Sequence, residues 1–383
     1  MNSHEPGTVF PLPRLRDDLD LPVIAAAREL FLSQQPMIDT RAPVEFAQGS
    51  FPGAVNLPLL SDDERERIGT CYKQKGHDAA VRLGARLVDG DSRRARVARW
   101  AAFMREHPDG VLFCFRGGMR SRVAQQWLFE ATGIVCPRVD GGYKALRRLL
   151  LDTIEQRAAG VNPIVLGGRT GSGKTVLLHK LANAIDLEGL ANHRGSAFGP
   201  TATPQPAPID FENRLAVDLL RQQAAGRDTL VFEDEGPNIG VLSVPRLLYQ
   251  RLQQAPLVVM RVDDVEREDN ALRDYIVDAR AAFVALHGET SGFDLFANSL
   301  FVSLDKIHKR LGGERHRKLR VAMADAIARH RASGETEAYR PIIRALLHDY
   351  YDPMYDYQIG RKRSQVVFEG DAEAVLAFLV RGA

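Results

Sequence analysis

The stretch that decides the fold of the N-terminal half reads Val111-Leu112-Phe113-Cys114-Phe115-Arg116-Gly117-Gly118-Met119-Arg120-Ser121, and apolar residues continue at helical spacing through Phe129. The apolar triplet predicts a buried strand, and the later spacing predicts a helix. Cys114 is therefore expected at a strand end, on a loop whose backbone N–H groups and helix N-terminus face one point. These surroundings favour the nucleophilic thiolate and a bound anion. We predict Cys114 and Arg120 as catalytic residues in an anion-cradle loop with Arg116, Gly117, Gly118 and Ser121.

The composition of the whole chain sets outer limits on its organisation. A length of 383 residues suggests two or three domains, and 45% hydrophobic residues are ordinary for a globular protein. A formal net charge of +2 does not by itself predict nucleic-acid binding. Cys71, Cys114 and Cys136 lack disulfide or metal-ligand spacing, so we expect a reducing, cytoplasmic setting and no structural metal. Met1–Pro6 is unlike a signal peptide, and no apolar run reaches membrane-spanning length, so no membrane partner is expected.

A second loop with a phosphate-binding signature begins at Gly168. Pro163–Gly167 predicts a strand, and Val176–Ile185 has the apolar periodicity of a helix. Between them, Gly168-Arg169-Thr170-Gly171-Ser172-Gly173-Lys174-Thr175 matches the pattern G-x4-G-K-[ST]. The predicted phosphate-binding residues of this P-loop are Gly168, Gly171, Gly173, Lys174 and Thr175. Thr175 is also expected on the Mg²⁺ side, with Asp234 or Glu235 at the end of a second parallel strand that starts at Thr229.

Basic residues gather in two places in the C-terminal half. His193-Arg194-Gly195 predicts an anion-binding loop or a polar surface turn, and residue types alone do not choose between them. The segment Lys306–Arg320 has the densest positive charge, which suits either RNA phosphates or a solvated helix face. The candidate RNA or anion contacts are His193, Arg194, Lys309, Arg310, Arg317 and Lys318. The aromatic-rich Tyr350–Tyr357 suits base stacking or, more simply, core packing.

Several stretches of roughly the first 150 residues together resemble the rhodanese family. They are Asp39-Thr40-Arg41, Gly53–Pro58, the Cys114 loop and Asp140–Arg147. The resemblance implies an α/β fold with a parallel sheet, in which Asp39 and Arg41 hold the fold. The spacing Cys-x5-Arg followed by Ser121 is one residue longer than is usual in rhodanese sulfurtransferases and is shared with phosphatases of related fold. The longer loop favours a bulkier donor than thiosulfate, such as a phosphate that carries sulfur or selenium.

The chain as a whole resembles the bacterial tRNA 2-selenouridine synthases. The matching stretches follow in order: Asp39–Arg41, Gly69–Gly76, the Cys114 loop, Gly141–Arg147, the P-loop, His193–Ser196, Phe211–Asn213 and Tyr350–Pro353. The resemblance implies a rhodanese-like parallel-sheet domain over residues 1–155. It implies a P-loop NTPase-like α/β domain over residues 156–383, with a helical C-terminal region and a basic helical segment near 306–331. One departure is Gly236–Gly240, where a Ser-Arg-like pair is expected before Ile239.

The resemblance also implies a two-step reaction on a tRNA that carries 2-thiouridine at the wobble position. The sulfur is first alkylated with geranyl diphosphate, and the S-geranyl group is then replaced by selenium from selenophosphate. We hypothesise that Cys114 carries the selenium and that the P-loop binds the diphosphate, with Mg²⁺ as an optional ion and no tightly bound cofactor. An enzyme that supplies selenophosphate is a further expected partner. Cys71 and Cys136 are predicted to be structural, and Ile134-Val135 before Cys136 predicts a buried strand.

Two other functions fit parts of the sequence. A cysteine-dependent phosphatase joined to a nucleotide-binding domain fits the Cys-x5-Arg-Ser spacing. A non-catalytic RNA- or nucleotide-binding module fits the P-loop and the basic segment. Only the synthase interpretation explains both loops and the stretches between them.

Overall fold

A computed structural model describes Arg16 and Asp18–Arg381. It divides the chain into two compact units. The first extends to Thr153 and includes Glu212–Leu220, and the second comprises Ile154–Phe211 and the chain from Arg221 onward. The prediction that Met1–Pro6 is not a signal peptide lies outside the described residues. Among the described residues, no helix has both the length and the apolar character that a membrane crossing requires.

The first unit is built on a five-stranded parallel sheet of order β1-β5-β4-β2-β3. Its strands are β1 (Val23–Ile24), β2 (Met37–Asp39), β3 (Ala54–Asn56), β4 (Val111–Phe113) and β5 (Arg138–Val139). Its helices are α1 (Glu29–Leu32), α2 (Pro43–Ala47), α3 (Asp62–Leu87), α4 (Gly90–Glu106) and α5 (Met119–Thr132), and α6 (Gly142–Gly160) begins here and ends in the second unit. Leu112, Trp100, Trp127 and Leu128 belong to the core that joins sheet and helices.

The central position of β4 explains where the Cys114 loop lies. All three residues of β4 are buried, and the strand pairs with β2 on one side and β5 on the other. The predicted strand and the predicted helix that follows it, here α5, are therefore confirmed. The prediction of a strand at Ile134-Val135 is wrong, since Val135 is exposed and the strand lies at Arg138–Val139. Pairing with β4 sets this position, because the Leu112 amide donates to the carbonyl of Pro137.

One short segment of the first unit comes from far along the chain. Helix α9 (Pro208–Ala224) contains Glu212–Leu220, which belongs to the first unit while both ends of the helix belong to the second. Asn213 is fully buried and donates from Nδ2 to the carbonyl of Ser50 at 2.5 Å. Arg147 bonds Asn213 Oδ1 at 2.6 Å and also forms an ion pair with Glu212. Two of the stretches that carry the resemblance, those that contain Arg147 and Asn213, therefore contact each other through polar side chains.

The second unit has its own five-stranded parallel sheet, of order β12-β11-β6-β8-β7. The strands are β6 (Asn162–Gly167), β7 (Ala184–Ile185), β8 (Thr229–Glu233), β11 (Leu257–Met260) and β12 (Val366–Gly370), and β9 (Asn238–Ile239) forms a hairpin with β10 (Leu242–Ser243). The helices are α7 (Lys174–Leu178), α8 (Leu187–Ala191), the ends of α9, α10 (Arg246–Leu252), α11 (Asp264–Leu272), α12 (Asp278–His287), α13 (Glu289–Lys306), α14 (His308–Leu311), α15 (Gly313–Ser333), α16 (Arg340–Leu346), α17 (Asp352–Arg361) and α18 (Ala372–Arg381).

The strands predicted on both sides of the P-loop are present as β6 and β8. The prediction of one helix over Val176–Ile185 is wrong, because α7 ends at Leu178 and Ala184–Ile185 forms β7. Ile185 pairs with Phe232 of β8, and the Val231 amide donates to the carbonyl of Asn183. Pairing with the sheet therefore overrides the helical periodicity of this segment.

The C-terminal region is mainly helical and packs around its own apolar core, which includes Phe296, Leu304, Ala326 and Tyr339. The basic segment near 306–331 is helical, but it is not one helix. Gly312 has a φ of +85° and separates α14 from α15. Tyr351 is buried in the helical core, which agrees with the simpler prediction of packing.

Candidate active-site loops

The first candidate site surrounds the thiol of Cys114. This side chain is only 3% exposed and lies at the carboxyl end of β4, on the loop that leads into α5. Its Sγ donates to Ser121 Oγ over 3.3 Å, and the Ser121 hydroxyl donates to the carbonyl of Gly118 at 3.0 Å. The residue after the arginine of the Cys-x5-Arg pattern therefore orients the sulfur directly.

The backbone at the start of α6 packs directly against the cysteine loop. Gly117 and Gly142 both have positive φ values, +65° and +54°. A Cβ on Gly142 would lie 2.5 Å from the Gly117 amide nitrogen and would also overlap the Cys114 carbonyl. The Tyr143 amide donates to that carbonyl at 2.8 Å. Gly141-Gly142-Tyr143, here called the platform, therefore packs with its backbone directly against the cysteine loop. So close an approach requires glycine at position 142.

Arg120 makes its main contact with a residue that sequence reasoning missed. Its Nη1 and Nη2 donate to Glu45 Oε2 and Oε1 at 2.6 and 3.2 Å, so the guanidinium binds a carboxylate in a bidentate manner. Although burial alone would raise it, this contact holds the pKa of Glu45 below its usual range. Glu45 positions Arg120 beside the loop, whereas Arg116 and Gly118 are exposed. The sequence analysis gave Glu45 no role, and the structure places it in the first turn of α2.

Asp39 and Arg41 form a buried ion pair. Arg41 Nη2 lies 2.6 Å from Asp39 Oδ2, and both side chains are at most 3% exposed. The Ser50 hydroxyl also donates to Asp39, and the Arg41 guanidinium stacks 3.8 Å from the ring centroid of Tyr143. These contacts join β2 to the platform below the cysteine loop, which agrees with the predicted structural role.

The second candidate site is the P-loop between β6 and α7. Gly171 and Gly173 have φ values of +81° and +77°, and a Cβ on Gly171 would lie 2.6 Å from the Arg267 carbonyl oxygen. The Lys174 ammonium donates to the Gly168 carbonyl at 2.9 Å. The lysine therefore folds back across the mouth of the loop, where a phosphate group would be bound.

An arginine that the sequence did not indicate clamps this loop. Arg267 on α11 is 1% exposed and donates from Nε to the Thr170 carbonyl at 3.1 Å. Its Nη2 lies 2.5 Å from Asp352 Oδ1, and Asn270 donates to the Gly171 carbonyl at 2.9 Å. The Tyr-Tyr-Asp-Pro stretch thus supplies the carboxylate that holds the clamp in place.

The acidic side of the P-loop differs in detail from the prediction. Thr175 Oγ1 donates at 2.9 Å to Glu233, the last residue of β8, which was not among the predicted residues. Asp234 instead forms an ion pair with Lys362 at 2.6 Å. Glu235, the other predicted residue, lies with Glu188 around Gly195, where a Cβ would be 2.6 Å from Glu235 Oε1 and would also overlap Glu188 Oε1. The glycine of the His-Arg-Gly stretch leaves room for these two carboxylates.

Three carboxyl groups lie together here: Glu233 is fully buried, and Glu188 and Glu235 are half-buried. Burial and repulsion from Glu188 raise the pKa of Glu233 to about 8. Burial and repulsion from Glu235 raise the pKa of Glu188, and burial raises the pKa of Glu235 although the hydrogen bond with Glu188 lowers it. Mg²⁺ prefers oxygen ligands and is usually held by one or two carboxylates together with waters and substrate phosphates. Thr175 and Glu233 therefore fit the expected Mg²⁺ side.

Comparisons with known proteins identify relatives that cover both units of the chain. A profile of the family described as "tRNA 2-selenouridine synthase AAA domain" matches residues 161–382. A tRNA 2-selenouridine synthase of Bordetella bronchiseptica is 54% identical over 92% of this chain and 96% of its own length. One from Pseudomonas fluorescens is 52% identical over the same shares.

The chain belongs to the tRNA 2-selenouridine synthase family. A solved N-terminal domain of a Clostridium difficile 630 protein is 28% identical and covers 34% of this chain and 98% of its own. Its TM-score of 0.29 is too low to establish a shared fold.

The basic residues that the sequence predicts as RNA or anion contacts differ in how exposed they are. His193 is 8% exposed, and burial lowers its pKa, which disfavours the positively charged form. Arg194 lies 5.7 Å from the ring centroid of Tyr275. The remaining four candidates are exposed on α14 and α15: Lys309, Arg310, Arg317 and Lys318. Lys318 pairs with Glu314 at 2.7 Å on the helix surface, a contact that contributes little in water.

Proposed function

We propose that this synthase converts wobble 2-thiouridine in tRNA into 2-selenouridine in two steps, S-geranylation followed by exchange for selenium. One observation carries the proposal. The chain has two loops that each join a strand to a helix, one that carries the thiol of Cys114 and one that carries Lys174 and matches the P-loop pattern. Two phosphate-bearing co-substrates, selenophosphate and geranyl diphosphate, fit these two loops. We expect the reaction in the cytoplasm, with selenophosphate provided by a separate enzyme.

In the first step, the P-loop binds the diphosphate of geranyl diphosphate. The sulfur of 2-thiouridine attacks C1 of the geranyl group, the C1–O bond breaks with its electron pair, and diphosphate leaves while the base loses its N3 proton. Lys174 and the loop amides stabilise the negative charge that develops on the leaving group. Thr175 and Glu233 would hold Mg²⁺, which when bound supplies additional positive charge at the diphosphate.

In the second step, the thiolate of Cys114 attacks the selenium of selenophosphate. The Se–P bond breaks and its electron pair leaves with phosphorus as phosphite, as thiosulfate would release sulfite, and a perselenide forms on Cys114. The terminal selenium attacks C2 of the base, and geranylthiolate leaves. A small thiol then reduces the Se–S bond, which frees the selenouridine and leaves a mixed disulfide that a second thiol resolves. Arg120 and the loop amides bind the phosphorus oxyanion.

Two variants separate these steps. Cys114→Ala is expected to abolish selenium incorporation and to leave geranylation of thiolated tRNA largely intact. Lys174→Ala is expected to impair geranylation and to leave selenium exchange on pre-geranylated RNA largely intact. The readout is the mass of the modified nucleoside after digestion. Normal selenation by the Cys114 variant, or equal loss of both steps in the Lys174 variant, would contradict the assignment.

The phosphorus product reports which atom Cys114 attacks. Attack at selenium releases phosphite, whereas attack at phosphorus would give a phosphocysteine and, after hydrolysis, orthophosphate. Phosphorus NMR of a single turnover distinguishes the two, and orthophosphate without phosphite would overturn the perselenide. Phosphatase activity on an aryl phosphate is expected to be negligible, because the proposed donor is attacked at selenium.

A further inference from the structure

The first unit contains a large, mostly apolar cavity next to the Cys114 loop. Its volume is about 800 Å³, within the range of about 300–1,000 Å³ that is typical of small-molecule sites. The apolar wall includes Ile68, Val81, Ala85, Met119, Val123 and Trp127. All of the lining residues belong to the first unit. The steps proposed above do not use this space.

The sequence builds the cavity from a kinked helix and the helix that follows the cysteine loop. Gly76 has non-helical φ and ψ values of 79° and −177°, so α3 consists of two limbs that meet at this residue. Ile68 lies on the first limb and Ala85 on the second, and both face the cavity together with Trp127 of α5. The kink therefore opens a space that a straight helix would not enclose.

Part of the charged lining of the cavity belongs to the candidate active site. Arg120 lines the cavity and ends the Cys-x5-Arg pattern. Glu45 accepts from Arg120 at 2.6 Å and pairs with Arg65 at 3.3 Å, and both of these partners also line the cavity. An apolar ligand inside would thus have its polar end near the cysteine loop.

We propose that this cavity binds the ten-carbon isoprenoid chain of the S-geranylated nucleoside during selenium exchange. The inference rests on the proposed function, because that reaction brings one apolar group to the Cys114 loop. Selenophosphate is a small anion and has no use for an apolar space of this size. Burial of the chain would select S-geranyl-2-thiouridine over unmodified 2-thiouridine, and it would hold the leaving sulfur near Cys114.

The first test varies the chain and leaves the protein unchanged. RNA oligonucleotides with S-methyl, S-dimethylallyl and S-geranyl 2-thiouridine are offered with selenophosphate. Each buried methylene contributes about 0.8 kcal/mol, a factor of about four in affinity. The loss of five carbons should therefore raise KM for exchange by up to about a thousandfold. Equal KM values for all three chains, with exchange taking place, would overturn the cavity assignment, whereas no exchange on any RNA would count against the proposed function itself.

The second test fills the cavity. Ala85→Phe places a ring in it. Ala79→Phe is the matched control, because Ala79 is half-buried on the same helix but lines an adjacent, charged groove and not the cavity. We expect KM for exchange on S-geranyl RNA to rise at least tenfold in the first variant and to change less than twofold in the second. Thermal unfolding of both variants checks that the unit is folded. Equal KM values in folded variants would overturn the proposal.

The isoprenoid chain reaches the protein in two forms, geranyl diphosphate and the S-geranyl nucleoside. A third experiment therefore measures KM for geranyl diphosphate in the alkylation step. The proposal expects Ala85→Phe to change this KM by less than the exchange KM. If only the alkylation KM rises, the chain enters as the diphosphate, and the assignment to the S-geranyl nucleoside is wrong.

Discussion

The buried acid group beside the P-loop predicts an unusual dependence of stability on pH. Glu233 is 1% exposed, and burial and the charge of Glu188 raise its pKa from 4.5 to about 8. A carboxyl group whose pKa is raised on folding stabilises the protein fully below pH 4.5, and this contribution is lost as the pH rises through about 8. Each unit of pKa difference corresponds to about 1.4 kcal/mol, so the upper limit is about 5 kcal/mol, of which about 3 falls between pH 5.5 and 9.

The variant Glu233→Gln removes this titration. The amide can still accept from Thr175, but it cannot also accept from the Glu188 amide, which now bonds Glu233 Oε2 at 3.2 Å, and this loss costs about 1 kcal/mol. The variant should be slightly less stable than the wild type at pH 5.5 and more stable at pH 9. For a unit of this size, the difference in Tm should change by about 5–10 °C over that range.

The assay is thermal unfolding from pH 5.5 to 9 in a chelator, with the exposed Glu266→Gln as a control. The control makes the same substitution at an exposed position, so it shows the effect of the substitution without burial. Addition of Mg²⁺ should stabilise the wild type at pH 9 and should stabilise Glu233→Gln less. A difference in Tm between Glu233→Gln and wild type that does not depend on pH would refute the argument.

Three further variants test the first unit. Gly142→Ala should reduce selenium exchange at least tenfold because its Cβ would overlap the Cys114 carbonyl, and unchanged exchange would show that the platform can shift freely. Arg41→Met should lower the free energy of unfolding in urea by about 3–5 kcal/mol, because it leaves Asp39 buried and unpaired; a loss below 1 kcal/mol would contradict this. Burial raises the pKa of the Cys136 thiol to about 12, so Cys136→Ala should remain active, and the native thiol should resist alkylation at pH 8. An inactive but folded Cys136→Ala protein would overturn its structural assignment.

Local patterns in the sequence were sufficient to predict the strands next to the Cys114 loop and the P-loop. The apolar runs at Val111–Phe113 and Thr229–Phe232 are buried central strands, and such strands read as continuous apolar segments. The helix predicted over Val176–Ile185 failed because β7 is only two residues long and depends on pairing with β8. A contact of this kind between distant segments leaves no periodic signal in its own residues.

Among the site residues too, those set by local sequence were predicted and those set by contacts between distant segments were missed. Loop geometry was readable because glycine positions and fixed spacings define it, and Gly171 has the positive φ that this geometry needs. Glu45, Arg267 and Glu188 were missed because each reaches its site from a separate helix, and an acidic or basic residue on a helix is ordinary. Asp234 was named because it follows an apolar strand, but only the fold shows that Lys362 neutralises it.

The segment Glu212–Leu220 determines which truncated fragments of this protein contain the whole first unit. A gene fragment that ends at residue 155 would encode the first sheet and the cysteine loop, but it would lack Asn213, which caps the Ser50 carbonyl, and both partners of Arg147. Such a fragment would lose the contacts of the 212–220 segment with the Ser50 carbonyl and Arg147, together with Leu215 and Leu219, which are fully buried in the whole chain. A soluble fragment for studies of selenium loading would therefore need the 212–220 helix joined to its C-terminus or added as a peptide. Rescue of the fragment by that peptide would measure how strongly the segment contributes to the folding of the first unit.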